Sequence, residues 1–468
     1  MRLPPRSFRR AALGAAALGA AVACSPDRIL RVETPDVIDP ITIRTAAGAE
    51  ALRTGALFQL NRATGGVDQV DASTSFIDSM VMLGGLLADE WRSGDTFVER
   101  DETDRRAVRN QNALVDDAYR MLERARVSAQ LADQALAQYN PEAPAWQRAQ
   151  MQLVQGFVEL FEAEHFCAGM PTSEASIDGT ITYGPPLSTA AMLERAIGHL
   201  DAGLAALGTD ASADPPEAAR VRAALRVSRG RALLDLGRRA EAAAAVRDVA
   251  TSTTAVLEYN QTLIFNQLWD YNNNQRRYTL STGEGGVGLA FATAGDARLP
   301  ACRGGTAACT AAGVSNPRIF DSQNATVLPL WVQLRFPTRD TPWPLATGVE
   351  ARLIEAEAQL AAGGAWLATL NALRGTVSGL APLADPGTPA ARADLLFRER
   401  AFWLFGTGHR LGDLRRLVRQ YGRPVNAVYP SGPWVKGGEY GTNVSFPIPQ
   451  SEENNPQFQR AACDPSQP

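Results

Sequence analysis

Residues 226–246 read RVSRGRALLDLGRRAEAAAAV, and the spacing of their small side chains decides how this chain is built. Gly230 and Ala232 are followed by Gly237 and then by Ala242 and Ala245. That spacing predicts two helices packed closely across a turn at Gly237, since small side chains let backbones approach and glycine tolerates the turn. Such a hairpin leaves an apolar face uncovered, so several must stack to bury a continuous core.

Working outward, Leu114, Ala118, Met121, Leu122, Ala125, Ala129 and Leu136 recur at three and four residues, with Asp116, Asp117, Arg120, Glu123 and Arg124 off that stripe. This is the pattern of an amphipathic helix. Similar patterns cover residues 146–166, 189–207 and 218–249, separated by NPEAP, GTDASADPP and Gly237. Beyond them ARLIEAEAQLAAGGAWLATLNALR, residues 351–374, repeats the small-residue idea at Ala358 and Gly363, with Leu367 beyond. Short connections make antiparallel helix pairs, and these units resemble tetratricopeptide (TPR) hairpins.

Between the two helical blocks, residues 251–346 are rich in Asn, Gly, Thr, Pro and aromatics and lack helical periodicity. They predict long loops with a few short strands. A stretch of this length without regular structure tends to be functional when ordered. The tail, residues 421–468, reads as loop. The expectation is a mostly α chain with one domain over residues 46–468. Its parts are a helical region at 46–250, an irregular ligand-binding cap at 251–346, a helical region at 347–420 and a loop-like tail.

The chain has 468 residues, 45% hydrophobic and 21% charged, close to soluble globular averages. A net charge of −4 leaves no global basic footprint for nucleic acid. Lys436 is the only lysine, which removes Schiff-base and P-loop lysine chemistry from the rest of the chain.

The first residues carry Arg2, Arg6, Arg9 and Arg10 before the small apolar run AALGAAALGAAVA, which stops at Cys24. This reads as a signal peptide over residues 1–23, the run being shorter than the roughly 20 residues that span a bilayer. Ala21, Val22 and Ala23 before Cys24 resemble a bacterial lipobox, with Ala21 where leucine is commonest. The other reading is an ordinary A-x-A cleavage site. Lipidation of Cys24 is the expectation adopted, with residues 24–45 as a tether from the membrane.

Export permits disulfides. Cys302 and Cys309 flank the short polar loop RGGTAA, which points to a local bridge and by elimination pairs Cys167 with Cys463. The three histidines, His165, His199 and His409, form no H-x-x-x-H pattern, and there is no C-x-x-C, so no metal site and no cofactor are expected.

Three separated motifs then converge on one family. ARLIEAEAQL, residues 351–360, is similar to the helix that follows the irregular region in SusD/RagB-type nutrient-binding lipoproteins. ERAFWLFGTGHRLGDLRRL, read as the next helix, keeps that family's Glu399-Arg400, Leu404, Gly408, Arg410, Asp413, Leu414 and Arg416. FPIPQSEENNP, with Pro447, Pro449, Glu452, Asn455 and Pro456, resembles the closing signature. The lipobox-like start, DVIDP at 36–40 and GDARLP at 295–300 extend the resemblance along the chain. Trp403 and Thr407 stand where the family often has acidic residues, so contacts made there by carboxylates must be replaced or lost. The resemblance implies a TPR-containing outer-membrane lipoprotein that caps a SusC-like TonB-dependent β-barrel transporter, captures a nutrient, commonly a glycan, and helps deliver it.

Glu399, Arg400, Arg410 and Asp413 place each carboxylate close to an arginine, which predicts a structural ion-pair network rather than the paired acids of glycoside hydrolysis. Glu355 and Glu357 are two apart on a helix and face different ways. GEGGVG, residues 283–288, superficially resembles a phosphate loop but lacks the preceding strand and following helix. No catalytic residues are therefore assigned. In the irregular region Trp269, Tyr271, Asn273, Arg277 and Tyr278, followed by Trp331 and Trp343, combine rings with amides and guanidinium groups. Rings cover the C–H faces of sugars while polar groups bond hydroxyls, so these are the ligand-binding candidates; the other role open to them is packing the loops onto the scaffold, the commoner fate of Trp and Tyr. The rival expectation is a TPR scaffold lipoprotein that assembles envelope proteins without binding a nutrient; exposed cap aromatics favour the first and buried ones the second.

Overall fold

The structure is a computed structural model that describes residues 44–66, 77–212, 214–262, 264–314 and 329–468. The signal peptide, Cys24 and DVIDP lie outside the described residues, as does the tether but for its last two positions.

The chain opens with helices α1 (Ala46–Gly65) and α2 (Met80–Leu87), strand β1 (Trp91–Ser93) and helix α3 (Val98–Asp104). Helices α4 (Ala113–Tyr139) and α5 (Ala145–His165) follow, then the short strands β2 (Met170–Pro171), β3 (Glu174–Ala175), β4 (Ile181–Thr182) and β5 (Pro186–Leu187). Helices α6 (Thr189–Leu207), α7 (Pro216–Asp235) and α8 (Arg239–Val246) complete the first helical block. Caps set these boundaries: the Asn112 side chain accepts from Val115 N at 3.2 Å, and Pro216 opens α7 where a missing N–H costs nothing.

Helix α5 packs against α4, α6 and α7 at the centre of the block. Its last turns are buried all round, and two of the three acids there are paired: Glu159 with Arg195 at 2.7 Å and Glu164 with Arg231. Gly230 does what the opening stretch predicts. A Cβ there would stand 2.5 Å from Val246 Cγ1 and 3.3 Å from Ala242 O, so α7 and α8 meet only because that atom is absent.

The irregular segment contains β6 (Thr254–Leu257), the single turn α9 (Gln267–Trp269) running into a π-turn at Asp270–Asn274, β7 (Tyr278–Leu280), β8 (Ala301–Arg303), α10 (Ala307–Ala311), β9 (Trp331–Gln333) and β10 (Trp343–Thr347). Its strands make three of the five antiparallel two-stranded ribbons among the described residues: β1–β7, β6–β10 and β8–β9. In β6–β10, Thr254 lies opposite Thr347 and Leu257 opposite Trp343, so the segment leaves and rejoins the scaffold at one neck. Tyr271, Tyr278, Leu280 and Trp343 belong to the same core as α4 and α5, while Cys302, Cys309, Val314, Leu330 and Val332 make a small core of their own.

Helices α11 (Gly348–Ala361), α12 (Trp366–Arg374), α13 (Pro389–Trp403) and α14 (Arg410–Tyr421) close the helical body. The stretch read as one helix from Glu399 is two. Gly406 and Gly408 hold φ of 70° and 74°, a left-handed backbone that ends α13 before α14 begins, and a Cβ on Gly408 would stand 2.5 Å from Phe161 Cε2. The tail contains only short 3-10 turns. It is held by the Cys167–Cys463 disulfide, by Phe446 N donating to His165 O at 2.8 Å, and by Cys167 N donating to Phe446 O at 2.9 Å. Among the described residues no helix is long and apolar enough to cross a membrane.

Candidate ligand-binding surface

The structure separates the seven cap residues singled out in the sequence. Tyr271, Tyr278 and Trp343 have no exposed surface and Asn273 is 2% exposed. All four lie in the core, the packing role that stood beside ligand contact in the sequence reading. The reason is the burial energy of large rings, with partners also for the Tyr278 hydroxyl and the Trp343 indole N–H. Tyr271 stacks on Tyr278 with centroids 5.8 Å apart, Tyr278 stands edge-on to Trp91, and Trp343 Nε1 donates to Gly406 O at 3.0 Å. Asn273 Oδ1 accepts from Gln333 Nε2 at 3.3 Å. Trp269, Arg277 and Trp331 remain partly exposed.

Arg277 leads to a surface that periodicity and motif did not reveal. Below it, Arg100 Nε and Nη2 donate to the two oxygens of Asp78 at 2.8 and 2.7 Å, and Nη1 to Asp95 at 2.5 Å. Arg277 Nη1 donates to the same Asp95 oxygen at 2.7 Å, and the Tyr278 hydroxyl donates to Asp78. Burial opposes the Arg100 charge, but Asp78 more than offsets it and the guanidinium holds its proton more tightly than usual. Burial, then the Asp78 charge, pushes both tyrosine hydroxyls well above their ordinary range.

Phe97 lies over this network. The guanidinium carbons of Arg100 and Arg277 lie 5.0 and 5.1 Å from its ring centroid, and the ring is 45% exposed. Two anchored cations thus fix an aromatic ring at the surface. Val98 and Val435 are exposed as well. Beside Val435, Lys436 Nζ donates to Ser93 Oγ at 3.0 Å, Asp95 O at 2.5 Å and Asp101 Oδ1 at 2.7 Å, which ties the tail to the same base. Underneath, Asp104 accepts from Ser93 N at 3.1 Å and Trp434 Nε1 at 3.2 Å, and burial pushes its carboxyl up to about 7. One signal was available in the sequence: Phe97 fills the cap position of an acidic helix, where Ser, Thr, Asp or Asn would bond the first turn, and it makes no cap bond.

The remaining singled-out residues are structural in their geometry. Asp413 takes Arg400 and Arg416, each at 2.8 Å, while Arg416 also reaches Asp235 at 2.8 Å and Glu357 at 3.1 Å. Although burial opposes ionisation, Arg400 and Arg416 hold the Asp413 carboxyl far below its ordinary range. Glu399 takes Arg298 at 2.6 Å and Arg374 at 2.7 Å. Each acid is buried and paired, so this cluster holds no free carboxyl pair. Glu355 pairs with Arg352 at 2.9 Å on another side of α11 from Glu357. Trp403 packs beneath the Arg298 guanidinium at 5.2 Å, and Thr407 Oγ1 lies 2.8 Å from His409 Nδ1, so an arginine and a histidine make the contacts at the two departures from the family pattern. In GEGGVG the Glu284 carboxylate accepts from Thr282 and Ser281, and Arg92 lies 3.4 Å away. Cys302 and Cys309 form a local disulfide.

No family model matches the chain, and no curated protein matches it. Solved structures do. A SusD-like carbohydrate-binding protein from Bacteroides fragilis covers 89% of this chain and 99% of its own at 15% identity, with a TM-score of 0.64. The surface glycan-binding protein A from Bacteroides uniformis covers 89% and 100% at 14% identity, with a TM-score of 0.64. A SusD/RagB family protein from Bacteroides thetaiotaomicron covers 88% and 96% at 12% identity, with a TM-score of 0.62. With its order of helical hairpins, its irregular segment and its loop-like tail, this chain has the SusD/RagB fold.

Proposed function

We propose that this chain works as a SusD/RagB-type lipoprotein. Cys24 anchors it to the outer membrane, it faces the cell surface, and it captures a glycan for delivery to a SusC-like TonB-dependent transporter. The observation that carries the reading is the Phe97 ring, exposed on a base of paired ions within a fold whose solved examples include carbohydrate-binding and surface glycan-binding proteins. The exposed part of the ring offers apolar surface to a pyranose, and Arg277, over the ring at 5.1 Å, supplies a polar neighbour. No step of this role calls for bond cleavage, and the reading assigns no catalytic residue.

The rival scaffold reading draws support from Tyr271, Tyr278 and Trp343, which are buried as that reading requires. Phe97 weighs against it. Purification of the Cys24-anchored protein from gently solubilised outer membranes distinguishes the two. Recovery of a TonB-dependent barrel in equal amounts supports uptake; recovery of assembly factors without such a barrel overturns it.

A further inference from the structure

A second concavity shares no residue with the Phe97 surface. It is a cleft of about 550 Å³ between α4, residues Pro171, Ser173 and Tyr183 on either side of the β3–β4 ribbon, and residues 451–455 of the tail. It runs on, past Arg120, Ser451 and Asn454, into a hollow of about 400 Å³, so the whole is a groove rather than a pit. Both volumes fall in the range of small-ligand sites.

The walls are fixed before any ligand arrives. Arg126 Nη2 donates to Ser173 O at 2.6 Å and Ala175 N to Gln130 Oε1 at 3.1 Å, which pins the ribbon to α4. Gln450 N donates to Asn110 O at 2.8 Å, Ser451 Oγ donates to Asp116, and the disulfide to Cys167 holds the end of the tail. A ligand entering here orders few loops, which lowers the entropic cost of binding.

The lining tells what it would take. Along the groove Arg120 and Arg124 meet Glu123 and Glu452, and the second hollow adds Asp116 and Glu453, so no excess of positive charge is there to select an anion. Burial moves the Glu452 carboxyl up from its ordinary value, against hydrogen bonds from Asn455 and Tyr119 that lower it. Hydroxyls of Ser128 and Ser173 and the amides of Asn454 and Asn455 add further partners without charge. Tyr183, 49% exposed on the rim, supplies one ring. A lining without excess positive charge, with hydroxyl and amide groups and the exposed Tyr183 ring along a groove, matches a neutral polyol chain.

We propose that this groove is a second ligand site and that it binds a neutral oligosaccharide, with Tyr183 as its stacking platform. The proposal rests on the glycan reading of the chain. It is tested by calorimetric titration of the purified full-length protein with maltohexaose, cellohexaose, laminarihexaose and xylohexaose, and with a galacturonate oligomer as the charged counterpart. At least one neutral hexasaccharide is expected to bind, with affinity falling roughly tenfold in Tyr183→Ala and recovering in Tyr183→Phe, which keeps the ring. The Tyr183-dependent component is expected to persist when Phe97→Ala is added. Thermal unfolding of Tyr183→Ala should match the parent, because the ring lies on the rim. Neutral binding indifferent to Tyr183→Ala overturns the groove and leaves the glycan reading standing. Binding of the galacturonate oligomer alone overturns the neutral assignment, and failure of all five sugars overturns groove and glycan reading together.

Discussion

Arg277 and Phe97 come from distant parts of the chain, yet the guanidinium carbon of one lies 5.1 Å from the ring centroid of the other. Asp95 sets this contact by accepting from Arg277 and Arg100 at once, through the same oxygen. A polar base that is otherwise buried therefore orients an exposed ring, and substitutions in the two layers should have different effects.

Removing the ring should affect binding alone. Phe97→Ala is expected to weaken glycan affinity roughly tenfold while the unfolding midpoint stays near that of the parent, as titration calorimetry and thermal melts would show. A large drop in the midpoint with unchanged affinity would make Phe97 a packing residue.

Removing Arg416 should affect stability instead. Arg416→Met leaves Asp235, Glu357 and Asp413 buried without their shared partner, although Arg400 still reaches Asp413. Breaking a buried network of this kind costs about 3–5 kcal/mol, measurable by urea denaturation. An effect below about 1 kcal/mol, the scale of an exposed pair, would contradict the buried geometry.

Acidity should stabilise one part of the fold. Burial pushes Asp104 and Glu90 each up to about 7 in the native state, above the values of about 4 that they regain on unfolding. The native state then binds more protons than the unfolded state between those limits. The contribution of these groups to stability is present in full below about pH 4 and is lost as pH rises through 7. Asp104→Asn should remove part of that decline, on the order of 3 kcal/mol between pH 5 and 8, when unfolding free energies are compared at both values. An identical pH slope in parent and variant would rule out a buried, raised Asp104.

Reduction should act unequally at the two disulfides. Cys463→Ser opens a crosslink spanning 296 positions and should cost about 2–4 kcal/mol. Hydrogen exchange should quicken in the tail at Phe446, which pairs with His165 and Cys167. Cys309→Ser opens a span of 7 and should cost less, since a short loop loses less entropy on closure. Equal losses would mean that the tail is held without its covalent link.

The helical scaffold was legible because it obeys local rules. The stripe from Leu114 to Leu136 lies within α4, and residues 189–207 coincide with α6. The false continuity after Glu399 came from apolar spacing running through two glycines whose left-handed backbone only tertiary contact reveals. The site was less legible for a different reason. A tyrosine in an irregular stretch carries no mark of burial; Tyr271 and Tyr278 enter the core because Arg100 and Asp78, far away in sequence, meet them there. Phe97 is the converse, an aromatic at the surface in a charged stretch where periodicity offers no test.

The ribbon in which Thr254 faces Thr347 has an evolutionary consequence. An insertion whose two ends are neighbours can lengthen, shorten or be exchanged between relatives while the surrounding helices keep their places, much as antibody loops diversify on a constant frame. Any such graft into this chain must bring equivalents of Tyr271, Tyr278 and Trp343, because these three plug the interior on behalf of the host. Exchange at this neck would replace Arg277 while Phe97, which lies outside the segment, stays in place.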